Sequence, residues 1–168
     1  QFFNRFAGMT RLSPILPIAG GSTRFQPVYV DDVARAAVAG VLGKAEPGIY
    51  ELGGPEGKSL REWGDVILTE VHRQKPVFNA PMFMGKLMAW GLDMVQKLTF
   101  GLAKNGLITR DQLKQLQTDN VVQEGAKTLA DLGIVATGPS TVIDEYLWRY
   151  RPSGQYDAIR DSARNLKV

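Results

Sequence analysis

The chain has no cysteine and a single histidine, His72. The first absence excludes disulfides, a thiolate nucleophile and any thiolate-held zinc or iron–sulfur centre. The second excludes a multi-histidine metal site and a histidine dyad. No uncharged apolar run reaches the roughly 18 residues that a membrane-crossing helix needs, and no basic stretch at the start leads into an apolar one. Neither a membrane span nor a signal peptide is therefore expected in these 168 residues. The phosphate-gripping spacings G-x-G-x-x-G and G-x-x-x-x-G-K-[ST] are missing as well. So is a Tyr-x-x-x-Lys pair: Tyr29, Tyr50, Tyr146, Tyr150 and Tyr156 are followed four positions later by Val33, Gly54, Tyr150, Gly154 and Arg160. On these residues alone the chain has no visible engine for catalysis.

What is present is a globular composition. Hydrophobic residues make up 44% and charged residues 22%, a balance that supports a packed core rather than a disordered chain. The length suits one domain or a piece of a larger one, and the opening Gln1-Phe2-Phe3-Asn4, without a methionine, reads as a fragment. Net charge is +3, and all of it lies at one end: residues 1–148 hold 15 Lys and Arg against 15 Asp and Glu, whereas residues 149–168 hold five against two. Arg149, Arg151, Arg160, Arg164 and Lys167 read as a solvated terminal segment, with contact to phosphates or an anionic lipid surface as the alternative. Elsewhere bases and acids are interleaved and no aromatic platform alternates with them, so nucleic acid is not an expected partner.

Local patterns place the elements. Residues 1–27, with Pro14, Pro17, Gly20, Gly21 and Pro27, predict a short helix end followed by extended loop and turn. Phe25 to Val30 is strand-like, and because Pro27 lacks a donor, a short strand beginning after it, or one at a sheet edge, is expected. A helix follows, capped by Asp31 or Asp32 and stopped at Gly43. Gly48 to Gly54 predicts a second strand ending in a diglycine turn. Ser59-Leu60-Arg61-Glu62 has capping-box spacing and opens a helix to about His72. Met82 to Lys104 predicts an amphipathic helix with Lys86, Asp93 and Lys97 on a narrow polar stripe, its wide apolar face suiting a protein core better than a membrane. Thr109 to Gln112 caps a further helix to about Gln117, Thr128 to Gly133 is a helical turn closed by glycine, and Ser140 opens a last helix ending near Pro152. Alternating strands and helices in the first half indicate an α/β layer.

Polar residues that could carry chemistry have plainer readings. His72 suits a helix C-terminus, where its charge complements the dipole. Asp31 and Asp32 point in different directions, which favours capping over a magnesium site. Gly20-Gly21-Ser22 and Gly53-Gly54-Pro55-Glu56-Gly57 read as tight turns.

Two stretches together carry a resemblance. Arg24-Phe25-Gln26-Pro27-Val28-Tyr29-Val30-Asp31-Asp32-Val33-Ala34, followed by Gly48-Ile49-Tyr50-Glu51-Leu52-Gly53-Gly54-Pro55-Glu56 and the Ser59 to Glu62 cap, resembles the C-terminal half of extended short-chain dehydrogenase/reductases, the NAD-dependent epimerase/dehydratase superfamily. Phe2-Phe3-Asn4-Arg5-Phe6-Ala7, Leu12-Ser13-Pro14, Thr109-Arg110-Asp111-Gln112 and Asp119-Asn120-Val121-Val122 narrow the similarity to the nucleotide-binding accessory-subunit type of respiratory complex I, over Phe2 to about Tyr156.

The resemblance implies an α/β fold: a partial Rossmann-like sheet over residues 1–76, a small, mostly helical substrate or docking domain over 77–150, and a basic tail over 151–168. It implies a parent that binds NADP or NAD through a missing N-terminal Rossmann half, with no tight cofactor on this piece. Arg24 falls where superfamily epimerases place an arginine on substrate phosphates, and its planar fork suits an oxyanion; a salt bridge or surface arginine is the equal alternative. The implied role is structural or assembly-related. Expected partners are the missing half, complex I subunits and a second copy of the fragment through its unpaired edge, with membrane contact at most peripheral and a cytoplasmic or inner-membrane-peripheral location. The alternatives are the substrate-binding part of an active epimerase, dehydratase or reductase, and a stand-alone interaction module.

Overall fold

The computed structural model describes residues 2–98, 110–156, 159 and 162–163. Helix α1 spans Phe2–Leu12 and strand β1 Leu16–Ala19; β2 is Arg24–Phe25, α2 Val30–Val41, β3 Lys58–Ser59, α3 Leu60–Glu70 and β4 Val77–Ala80. Helices α4 (Met82–Leu98), α5 (Arg110–Gln115) and α6 (Pro139–Leu147) follow, with short 3-10 turns at Ala130–Leu132, Trp148–Tyr150 and Gly154–Tyr156. The protein is mixed α/β with a small parallel sheet, consistent with a partial Rossmann-like fold.

Strand β1 pairs with β4 in parallel, Leu16 opposite Val77 through Ala19 opposite Ala80. This strand is the first departure from the sequence reading, in which the prolines and glycines of residues 1–27 predict extended loop and turn after the helix end. Parallel ladders bond through alternate residues. Because the Leu16 amide donates to the Pro76 carbonyl at 3.0 Å, Pro17 turns its missing donor to the outer edge, where a proline is tolerated. Leu16 and Ile18 are buried on the face that meets α3. Gly64 lets that helix approach, since a Cβ there would come within 2.8 Å of Ile18 Cδ1. Helix α1 is a full element rather than a helix end: Phe3, Ala7 and Thr10, spaced as one helical face, are buried.

The other differences have local causes. Of the two placements expected around Pro27, the strand does not begin after the proline but lies before it: β2 pairs antiparallel with β3, the Gln26 amide still bonds the Asn120 carbonyl at 3.0 Å, and the donorless proline ends the pairing. Val30 already belongs to α2, whose N-cap is Tyr29 with no side-chain cap. Neither Asp31 nor Asp32 caps it; Asp32 is turned inward and buried. The helix does stop as expected, with Gly43 at φ 69°. The strand expected over Gly48–Gly54 reduces to one bridge, Tyr50 to Lys127. The diglycine instead serves close packing: a Cβ on Gly54 would collide with the Pro27 carbonyl oxygen, and one on Gly53 would lie 2.5 Å from Val122.

Helix α3 begins as the sequence predicts. The Ser59 hydroxyl accepts from the Glu62 amide while the Glu62 carboxylate accepts from the Ser59 amide at 2.7 Å. The Ser59 hydroxyl, then its amide, hold the Glu62 carboxyl below its ordinary range. The reciprocal cap is therefore complete at neutral pH and is lost as pH falls through that lowered value. Ser59→Ala removes the serine half of the box and is expected to cost about 1 kcal/mol, read as a lower urea midpoint with an unchanged slope; an unchanged midpoint would show that the cap contributes nothing.

Helix α6 starts at Pro139, one residue ahead of the predicted Ser140, with Gly138 as N-cap. It closes in the 3-10 turn before Pro152, and the turn at Ala130–Leu132 ends at Gly133 with φ 67°. The predicted continuation of α4 from residue 99 to Lys104, and the cap at Thr109, lie outside the described residues.

The main core joins α1, α3 and α6 through Phe3, Ala7, Trp63, Ile67, Val71, Ile143 and Leu147. A second cluster lies between β1 and α3, and a third joins Ala36 of α2 to Leu129 and Ile134. Position 76, taken as a domain boundary in the sequence, immediately precedes β4, which bonds to β1. Among the described residues each sheet has two strands; the outer edge of β1 meets no further strand, whereas β2 is bridged on its other side by Asn120.

Candidate functional site

In open α/β sheets, ligands sit outside the carboxyl ends of parallel strands. The carboxyl ends of β1 and β4 open into a cleft of about 510 Å³ lined by Gly20, Gly21, Ser22, Thr23, Asn79, Ala80, Pro81, Leu116 and Gln117. Three segments build it. After β1 the chain turns tightly, the Thr23 amide donating to the Gly20 carbonyl at 3.0 Å with Gly20 at φ 68°. Thr23 is buried and its hydroxyl donates to the Leu116 carbonyl, which fixes the end of α5 against this turn. Asn79 and Pro81 come from the end of β4 and the start of α4. Gly20 and Gly21 are thus needed for close approach: a Cβ on Gly20 would lie 2.7 Å from the Leu116 carbonyl oxygen, and one on Gly21 2.5 Å from Asn79 Oδ1. The exposed Ser22, Asn79 and Gln117 supply hydroxyl and amide groups that donate and accept.

Arg24 follows this turn and is not among the residues lining the cleft. Its backbone amide donates to Asp119 Oδ1 at 2.8 Å, and one guanidinium nitrogen donates to the Gly57 carbonyl at 2.9 Å. The side chain is largely exposed and lies close enough to Glu62 to contribute to the lowering of that carboxyl.

The motif pieces Arg24–Gln26 and Asp119–Val122, far apart in sequence, are zipped together. The Asn120 amide donates to the Arg24 carbonyl at 2.8 Å and the Gln26 amide returns a bond to the Asn120 carbonyl. The Gln26 side chain then clamps both neighbours: its amide donates to the Gly54 carbonyl at 2.7 Å, and its oxygen accepts from the Val122 amide at 2.9 Å. Sequence reasoning placed Gln26 in the motif without giving it a role.

Other singled-out residues are structural. Asp32 accepts from the Thr137 amide at 2.6 Å and the Thr137 hydroxyl at 3.0 Å. His72 is exposed just past α3, with a left-handed φ of 51°. Arg151, read as part of a solvated tail, is instead paired with Glu70 at 2.6 Å and Asp144 at 2.5 Å; its hydrogen bond is the main cause that holds the Asp144 carboxyl low. Arg160, Arg164 and Lys167 lie outside the described residues. No cluster of three metal-ligating side chains exists among the described residues.

No protein-family model matches the chain. Among curated proteins it is 35% identical over 140 residues to NADH dehydrogenase [ubiquinone] 1 alpha subcomplex subunit 9, mitochondrial, of Arabidopsis thaliana. It is 25% identical over 144 residues to the mitochondrial NADH-ubiquinone oxidoreductase 40 kDa subunit of Neurospora crassa. The chain is homologous to both. The alignments cover 82% and 85% of this chain but 35% and 36% of the relatives, so it spans about a third of their length. Homology to subunits of an NADH–ubiquinone oxidoreductase agrees with the family that the motifs suggested. Several of the motif residues, Gln26, Gly53, Gly54 and Asn120 among them, join one segment of the fold to another.

Proposed function

We propose that this chain works as the C-terminal portion of an NAD(P)-binding protein related to the complex I accessory subunit, with a structural or assembly role in such a complex. The observation that carries the reading is the cleft at the carboxyl ends of a parallel strand pair, in a chain homologous to NADH–ubiquinone oxidoreductase subunits. The turn that grips a dinucleotide pyrophosphate in Rossmann domains needs glycine spacings that this sequence does not contain. That grip belongs to a further Rossmann half, and this piece supplies the rim. The outer edge of β1 and the exposed Val30, Val38 and Val41 on α2 offer that half a strand edge and an apolar helix surface. Arg24 reaches a substrate or cofactor phosphate from the turn beside the cleft.

Calorimetry with NADPH and NADH on the 168-residue chain, and on a longer polypeptide that adds a Rossmann half, tests the division. Binding is expected only in the longer protein; equal affinity in both would refute it. In the longer protein Arg24→Ala is expected to weaken binding of the phosphate-bearing ligand about tenfold, the scale of one charge-assisted hydrogen bond. Unchanged binding would leave Arg24 as a brace for the Gly57 carbonyl.

The polar rim of Ser22, Asn79 and Gln117 favours a second reading, the substrate-binding part of an active epimerase, dehydratase or reductase. Turnover of a nucleotide-linked substrate by the longer protein would select it. No described helix is long and apolar enough to cross a membrane, and a cytoplasmic or inner-membrane-peripheral place suits both readings.

A further inference from the structure

Helix α4 leaves a stripe of large apolar side chains exposed. Gly85 faces inward, where a Cβ would come within 2.9 Å of Leu113 and 3.3 Å of Ala19. Phe83, Leu87, Trp90, Met94 and Leu98, at spacings of four, three, four and four, face outward, with exposures of 68%, 64%, 51%, 48% and 74%. The sequence reading expected the wide apolar face of this helix to be packed in a core; the described residues leave this stripe bare. Lys86 is exposed, and its place three residues after Phe83 and four before Trp90 puts it beside them on the helix surface.

We propose that α4 docks in the plane of an anionic lipid bilayer, the stripe from Phe83 to Leu98 entering at headgroup depth and Lys86 meeting the phosphates. The proposal is independent of the nucleotide reading. Two observations select lipid over other occupants. The stripe is about 25 Å long and about 10 Å wide, a few hundred Å², against the roughly 800 Å² per partner that a stable protein dimer buries. Its side chains are bulky and amphipathic, with tryptophan and phenylalanine beside lysine, the make-up of an interfacial helix. Over its described residues, α4 is too short and too polar to cross a bilayer rather than lie along it.

The test uses the 168-residue chain with vesicles of phosphatidylcholine alone and with roughly 30% phosphatidylglycerol. Co-sedimentation is expected with the anionic vesicles and is expected to weaken with salt. Phe83→Glu with Leu87→Glu should lower partitioning at least about tenfold, because two inserted side chains are lost. Lys86→Glu should weaken it on anionic vesicles only, and Val38→Glu with Val41→Glu on α2 should leave it unchanged. In a Trp148→Phe background, lipids brominated near the headgroup should quench Trp90 emission, which reads insertion without adding a charge to the stripe. No co-sedimentation, equal loss from the α2 pair, or no quenching of Trp90 would overturn the proposal. So would a dimer in sedimentation velocity that Leu87→Glu dissolves without vesicles, which would give the stripe to a second copy.

Discussion

Trp63→Ala is expected to destabilise the fold by about 4 kcal/mol, the cost of emptying a fully buried large aromatic site. The indole is 1% exposed at the junction of α1, α3 and α6. Phe3 packs edge-on against it at 5.4 Å between centroids, and Lys58 Nζ lies over its ring at 5.1 Å. Its Nε1 also donates to the Phe25 carbonyl at 3.0 Å, so the substitution both opens a cavity and leaves an acceptor of β2 without this donor. Trp63→Phe keeps much of the volume and loses the donor, and about 1–2 kcal/mol is expected. Urea unfolding of the two variants separates packing from hydrogen bonding. A loss below about 1 kcal/mol for the alanine variant, small beside the usual cost of a core aromatic, would mean that the helices do not depend on this contact.

Asp32→Ala should follow at about 2 kcal/mol, because it empties a buried site and leaves the part-buried donors of Thr137 unpaired. The carboxylate is 1% exposed and accepts from both the amide and the hydroxyl of Thr137, with Arg35 at 3.2 Å completing its charge balance. Asp32→Asn keeps the shape but turns an NH2 group toward a donor, so about 2 kcal/mol is expected from the unmet hydrogen bonds. The sharper readout is local: hydrogen exchange at the Thr137 amide should accelerate in both variants, together with the segment around Leu129 and Ile134 that packs on α2. Native-like protection at Thr137 in Asp32→Asn would show that the carboxylate is not what fastens the segment.

Asp32 also marks where sequence reading reaches its limit. An aspartate one or two residues into a helix fits a cap, and nothing local distinguishes a cap from a buried anchor whose partner lies 105 positions away. The same holds for Pro17, which argues locally for loop, whereas β4 bonds only the alternate residues of β1 and leaves the proline an edge. Capping and stopping signals were legible because they act within one turn: the Ser59–Glu62 box, the glycine stop at Gly43 and the turn closed at Gly133 all stand as read. For the candidate site, Gly20-Gly21 was legible as a turn. The cleft it borders was not, since Asn79 and Gln117 reach it only once β1 and β4 pair and α5 is tied to Thr23.

By itself, then, the sequence determined the α/β class, the family likeness, the helix boundaries set by short-range hydrogen bonds, and the absence of a phosphate-gripping glycine turn. Tertiary structure alone decided which strand lies beside which, which charged groups are buried, and that the stripe from Phe83 to Leu98 on α4 is exposed. The reason is range: a cap or a glycine stop is settled by neighbours a few residues away, whereas burial is settled by what the rest of the chain brings alongside, and periodicity shows that a helix has an apolar face without showing where it points.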